Sequence, residues 1–129
     1  MKGCYFILTL LAFPFLTIAQ KKNNTTYKWD EKKYAEKVLT KALKTDSVSK
    51  KQKSDFKLLQ DSLQAVRVAE QTLFNIYGEE TIKSERPYII SSIRDYWILH
   101  GTLHTDKGGC FIIVLDAYDG RVIYVTHEK

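Results

Sequence analysis

Two hydrophobic spacings divide the chain. In residues 29–44 and 61–77 apolar side chains recur every three or four positions, while from 87 to 127 they alternate or run in short blocks between turn residues. The first spacing is that of helix and the second that of strand. Trp29 to Lys44 predicts a first helix, with Tyr34, Val38 and Ala42 on one face and Asp30 placed to cap its start. Thr45 to Asp55 (TDSVSKKQKSD) is a polar connection, and Phe56 to Leu59 reads equally as a short strand or as a segment laid over the core. Asp61 to Tyr77 predicts a stronger helix. Asp61 with Gln64 fits a capping box, and Leu63, Val66, Ala69, Leu73, Ile76 and Tyr77 form a broad stripe expected to face the core. Gly78 stands where a helix stops.

The strand half follows. Pro87 to Ile93 predicts a first strand, Arg94-Asp95 a tight turn, and Tyr96 to Leu103 a second strand. His104 to Gly109 is a loop, and Cys110 to Ala117 is apolar on both faces, as a central strand is. Tyr118-Asp119-Gly120 is a hairpin signal, and Arg121 to His127 alternates as a fourth strand. The fold class expected is α+β: two N-terminal helices packed on one face of a four-stranded antiparallel meander.

The start of the chain sets a compartment. Met1-Lys2 precedes an apolar run from Tyr5 to Ile18, which closes on Thr17-Ile18-Ala19 with small residues at the −3 and −1 positions. Residues 1–19 therefore read as a cleavable signal peptide, 20–28 as a flexible N-terminus, and 29–129 as a single domain exported to the periplasm or secreted. Pro14 and the short length of the run argue against a membrane span, so no membrane association is expected after cleavage. Cys4 lies before the run, not after it, which removes a lipoprotein reading. Cys110 is then the remaining cysteine, so no intramolecular disulfide can form, and its place at the head of an apolar strand suits a buried, inert thiol.

The formal net charge of +5 is unevenly spread. Lys21 to Lys57 holds twelve Lys against five acids, while Leu58 to Lys129 carries a net charge of −3. The basic excess sits in one polar stretch with few interleaved aromatics, the pattern of a solvated face and not of a nucleic-acid site. The search for chemistry is as lean. Asp95, Asp106, Asp116, Asp119 and Glu128 all fall at turns or strand ends, where Asp bonds backbone and adds solubility. His100, His104 and Cys110 suggest zinc, but two histidines four apart on a strand stand ~13 Å apart, too far for one tetrahedral ion. Ser91-Ser92 lacks the glycine frame of a nucleophile elbow. No catalytic, cofactor-binding or metal residues are assigned, and no cofactor is expected.

One set of residues is familiar as a group: Ala69-Glu70, Ile76-Tyr77-Gly78-Glu79, Arg86-Pro87-Tyr88, Tyr96-Trp97-Ile98, Gly101-Thr102-Leu103, Gly108-Gly109, Asp119-Gly120-Arg121-Val122-Ile123 and His127. In order and spacing it resembles the nuclear transport factor 2-fold immunity proteins of bacterial polymorphic toxin systems, over roughly residues 61–129. The resemblance implies a protein that binds and neutralises a cognate toxin, without cofactor or turnover. It carries over landmarks of structure, such as Trp97, Gly101, Gly109 and Gly120, and no toxin-contact signature. The chain departs from a full fold of that name in showing two clear helices where three are expected, so a plain cystatin-like layout stays open. Two other functions stay open as well: an exported peptidase-inhibitor or propeptide-like binding module, and a small isomerase or hydratase, which a buried carboxylate or His in an apolar pocket would favour. For the binding reading, the candidate partner-binding residues are Glu79, Glu80, Asp95, Asp106 and Asp119, as charged loop positions around an open sheet face.

Overall fold

The computed structural model describes residues 30–46 and 55–129. The expected signal peptide, the N-terminal stretch and most of the polar connection lie outside them.

Helix α1 spans Glu31–Thr45, and Asp30 caps it by accepting the Lys33 backbone N–H at 3.2 Å. Its inward face is Ala35, Val38, Leu39 and Ala42. Helix α2 spans Ser62–Tyr77, with the Asp61 carboxylate accepting the Gln64 N–H at 2.9 Å. The Gln64 side chain returns to the Gln60 N–H, so the expected capping box closes one residue early. The stripe predicted for α2 is partly wrong. The buried positions are Ala65, Ala69 and Leu73, while Leu63 and Ile76 are 59% and 52% exposed. Two alanines let the middle of the helix approach the sheet closely.

Gly78 stops α2 with φ +92, and its N–H bonds the Phe74 carbonyl. That left-handed backbone restarts the chain as a third helix, α3, Glu79–Ser84. Glu79 and Glu80 are therefore first-turn helical residues and not loop positions. The segment EETIKS has one apolar residue and no stripe. Ile82, fully buried against the core, is what anchors it.

The sheet is the expected antiparallel meander, in the order β1-β2-β3-β4, with β1 Ile89–Ile93, β2 Tyr96–His100, β3 Phe111–Asp116 and β4 Val122–His127. A two-residue turn joins β1 to β2 with Arg94 at φ +54. Phe56 to Leu59 forms no strand. Leu58 and Leu59 donate backbone bonds to Tyr118 and Ala117 at the β3–β4 turn, and Leu59 plugs the core. Trp97 Nε1 donates to the Leu59 carbonyl at 3.0 Å, fastening that segment down.

The helices do not share one face of the sheet, as the sequence suggested. Phe111, Ile113 and Leu115 of β3 point to Ala65, Ala69, Leu73 and Ile82 of α2 and α3. Ile112 and Val114 point the other way, to Ala35, Val38, Leu39 and Ala42 of α1. This explains why β3 is apolar on both faces: each is covered by helix. Among the described residues, no helix is long and apolar enough to cross a membrane.

Candidate functional site

The only charged residue in the core, among those described, is Glu85, 7% exposed, in the short link from α3 to β1. Its Oε1 faces His127 Nε2 at 2.7 Å, and its Oε2 accepts the buried Phe111 N–H at 2.8 Å. Its backbone carbonyl accepts the Thr102 N–H at 2.7 Å. One residue thus ties the helical layer to β3, β4 and the β2–β3 loop. Gly101 makes room for it: a Cβ there would lie 2.2 Å from Glu85 Oε2. Gly109 likewise lies where a Cβ would run into the Glu128 carbonyl at 1.7 Å. The His127 ring also stacks at a tilt on Tyr77, 5.2 Å between centroids.

A second tie lies beside the first. Glu70 of α2 takes an ion pair from Arg86 and a hydrogen bond from the Tyr88 hydroxyl at 2.9 Å. The guanidinium also lies over the Tyr88 ring, 5.7 Å from its centroid. His104 bonds the Arg86 carbonyl, and Thr102 Oγ1 bonds that of Pro87. Burial pushes the Tyr88 phenol up, and the hydrogen bond that Arg86 donates to Glu70 holds its guanidinium more firmly protonated than usual. Burial also raises the half-buried Cys110 thiol, and the nearby Glu85 and Glu128 charges add to it.

Sequence reasoning missed Glu85, because an isolated Glu beside Arg-Pro reads as solvated. Its only sequence signal was indirect: a glycine at 101 that leaves it room and a histidine at 127 that bonds it. The carboxylate and histidine resemble an acid–base pair, yet both carboxylate oxygens are engaged, one by a backbone N–H that Glu85 alone satisfies. That is the chemistry of a brace. Among the described residues no three His, Cys, Asp or Glu side chains stand together to hold a metal ion.

The five candidate partner-binding acids fall at two opposite ends of the domain. Asp95 and Asp119 belong to the β1–β2 and β3–β4 turns, which meet through the bond from Ala117 N–H to the Asp95 carbonyl at 2.8 Å. Asp95 pairs with Lys57 at 3.3 Å, and Asp119 accepts the Arg121 N–H. Asp106 lies in the β2–β3 loop at the other end. Glu79 and Glu80 start α3 at that same far end, just after Tyr77 reaches His127. Lys83 pairs with Glu79 and holds its carboxyl below the usual range. The sheet face expected to lie open between these acids is occupied by α1. At the turn end, Arg121 clamps Asp46, at the C-terminal end of α1, with two bonds of 3.0 and 3.1 Å.

The residues behind the sequence resemblance are largely these ties: Glu70, Tyr77, Gly78, Arg86, Tyr88, Trp97, Gly101, Gly109, Arg121 and His127. Residues 64–129, from α2 through β4, match the family described as NTF2 fold immunity protein. Two proteins of Escherichia coli strain K12 are similar to the chain. The uncharacterized protein YhhH is 35% identical over 74 residues, 56% of this chain and 58% of its own length. The uncharacterized protein YbbC is 33% identical over 67 residues, 50% of this chain and 55% of its own. The chain thus spans a little over half the length of these curated relatives. No solved structure matches it. With all but the first two residues of α2, and α3 and all four strands, inside the matched residues, the chain belongs to the family of NTF2 fold immunity proteins.

Proposed function

We propose that this chain is a non-catalytic immunity protein, exported from the cytoplasm, that binds a cognate bacterial protein toxin and neutralises it. The family match over residues 64–129, from α2 through the whole sheet, carries the reading. The interior supports it. An isomerase or hydratase needs a carboxylate free to move a substrate proton, whereas Glu85 is closed off by Phe111, His127 and Gly101. Both faces of the sheet are filled by the chain's own helices, so recognition falls to the outer surface. Candidate acids at that surface are Glu79, Glu80, Asp95, Asp106 and Asp119, in two separate sets.

The test is co-expression with the candidate toxin, the product of the adjacent reading frame. The chain should restore growth to cells making that toxin and co-purify with it at fixed stoichiometry. A chain that is well expressed yet neither restores growth nor forms a complex overturns the reading.

A further inference from the structure

The protons at the Glu85–His127 contact do not add up for a carboxylate beside a neutral imidazole. Both ring nitrogens of His127 face oxygen: Nε2 lies 2.7 Å from Glu85 Oε1, and Nδ1 lies 3.0 Å from the Glu128 carbonyl. A carbonyl only accepts, so Nδ1 carries a hydrogen. A neutral imidazole has a single N–H, which leaves Nε2 as a bare lone pair aimed at a carboxylate. The bond to Glu85 then needs one further proton, held on Nε2 or on Oε1. Which atom carries it does not change the count, because the two groups titrate as a pair. Glu85 Oε2 takes the Phe111 N–H, and among the described residues no other donor reaches the carboxylate. His100 and His104 differ: each faces one carbonyl, that of Gly101 or of Arg86, which a neutral ring satisfies.

Neither oxygen is free to turn away once that proton leaves. The Glu85 carboxylate is fixed by the Phe111 N–H and fits the space that Gly101 leaves by lacking a Cβ. The Glu128 peptide is fixed by its N–H bond to the Cys110 carbonyl at 3.1 Å and by Gly109, where a Cβ would run into the Glu128 oxygen. Two fixed acceptors then share one N–H, and what is left to move is the ring with the end of β4 that carries it. The ring is 24% exposed, so solvent reaches it to exchange the proton. Other titratable groups border the pair on each side. Tyr77 of α2 packs on the ring, and the Cys110 thiol ahead of β3 feels both Glu85 and Glu128. From the α1 side Tyr34 feels Glu128 and Cys110. Arg86, next to Glu85 in the chain, is paired with Glu70, and Lys129 follows Glu128.

We propose that Glu85 and His127 form a pH-sensitive latch, closed while the pair holds one proton more than a carboxylate and a neutral imidazole, which fastens the end of β4 to the link between α3 and β1. The latch opens as pH rises. Between about 4.3 and 6.5 an unfolded chain also carries a charged imidazole and an ionised carboxylate, so the two states hold equal numbers of protons. Above that range the unfolded chain has lost a proton that the closed latch keeps. Stability then falls with rising pH, by up to about tenfold in the folding equilibrium constant per pH unit. The latch belongs to the fold and stands whatever the domain binds.

The test is urea unfolding of the full-length mature chain from about pH 6 to pH 8, below the range near ~8.5 in which an unfolded thiol ionises, so that Cys110 does not contribute. Glu85→Gln is the informative variant. Its amide oxygen accepts the Phe111 N–H and its amide nitrogen donates to the bare Nε2 of a neutral ring, so every bond is made without the additional proton. Over this range the folding constant of the wild type should fall about threefold or more beyond that of Glu85→Gln, with His100 and His104 common to both. Should Glu85→Gln fold poorly, His127→Gln, whose amide donates to Glu85 and does not titrate, should show the same flattened dependence. Nuclear magnetic resonance at pH 7 locates the proton directly: the wild type should show both His127 nitrogens protonated or the Glu85 carboxyl protonated. A ring with one N–H beside an ionised Glu85 overturns the latch. So does a folded variant that keeps the wild-type slope, or a wild type whose stability is constant or rises across the range.

Discussion

Glu85 is the position where one substitution most sharply separates a structural role from a chemical one. In Glu85→Ala the Phe111 N–H, in the fully buried core, loses its carboxylate partner. Leaving a buried donor unsatisfied costs about 1–3 kcal/mol. The bond to His127 goes as well. That ring is 24% exposed and regains water on one side, so its loss is discounted to about 1 kcal/mol. The expected destabilisation is about 2–4 kcal/mol. At roughly 4–8 °C per kcal/mol for a domain of this size, the melting temperature should fall by at least ~8 °C. Glu85→Gln keeps an oxygen for the Phe111 N–H and a polar group for His127, and should cost about 1 kcal/mol. Thermal and urea unfolding followed by far-UV circular dichroism measure both. A Glu85→Ala variant within ~0.5 kcal/mol of the wild type would refute the brace. Protection against the toxin should survive in Glu85→Gln. If protection vanished there with stability intact, Glu85 would be doing chemistry and the non-catalytic reading would fail.

The Cys110 thiol, raised by burial, should react with a disulfide reagent at pH 8 far more slowly in the folded protein than in urea, and equal rates would contradict its placement. Because its folded pKa lies above the unfolded value near ~8.5, its contribution to stability is full below that pH and is lost as pH rises through the folded value. Arg121→Ala and Asp46→Ala should each destabilise, with a coupling energy of about 1 kcal/mol in a double-mutant cycle, since both groups are partly exposed; additive effects would mean the clamp on α1 contributes nothing. Gly101→Ala should lower the melting temperature, because its Cβ would meet Glu85 Oε2 at 2.2 Å, and an unchanged melting curve would show that the link to β1 yields easily. Mass spectrometry of the exported protein should find its N-terminus at Gln20, whereas an intact Met1 in a membrane fraction would count against export.

Much of the fold was legible because the signals are local. Asp30 and Asp61 cap helices through atoms three residues away. Gly78 and the Asp119-Gly120 turn stop elements through backbone conformation alone, and the alternation after Pro87 sets the meander strand by strand. What escaped was set by distant partners. The six residues of α3 carry no periodic stripe and are helical because Ile82 reaches the core. Leu63 and Ile76 continue the spacing of α2 yet are exposed, because spacing along a helix does not say which turns have a neighbour to cover them.

The site divides in the same way. Sequence by itself determined the two-helix, four-strand order, the glycine and aromatic landmarks, and the doubly apolar β3 that must be buried on both faces. It could not say which helix covers which face, because periodicity reports that a face is apolar and not what lies against it. Only the tertiary structure placed α1 opposite α2 and α3, sent the acids of neighbouring loops to opposite ends, and joined Glu85 to Phe111 and His127 across 26 and 42 residues of chain. An ion pair or a buried hydrogen bond acts over a few ångströms of space, and no spacing along a chain encodes which distant residue will supply the other half.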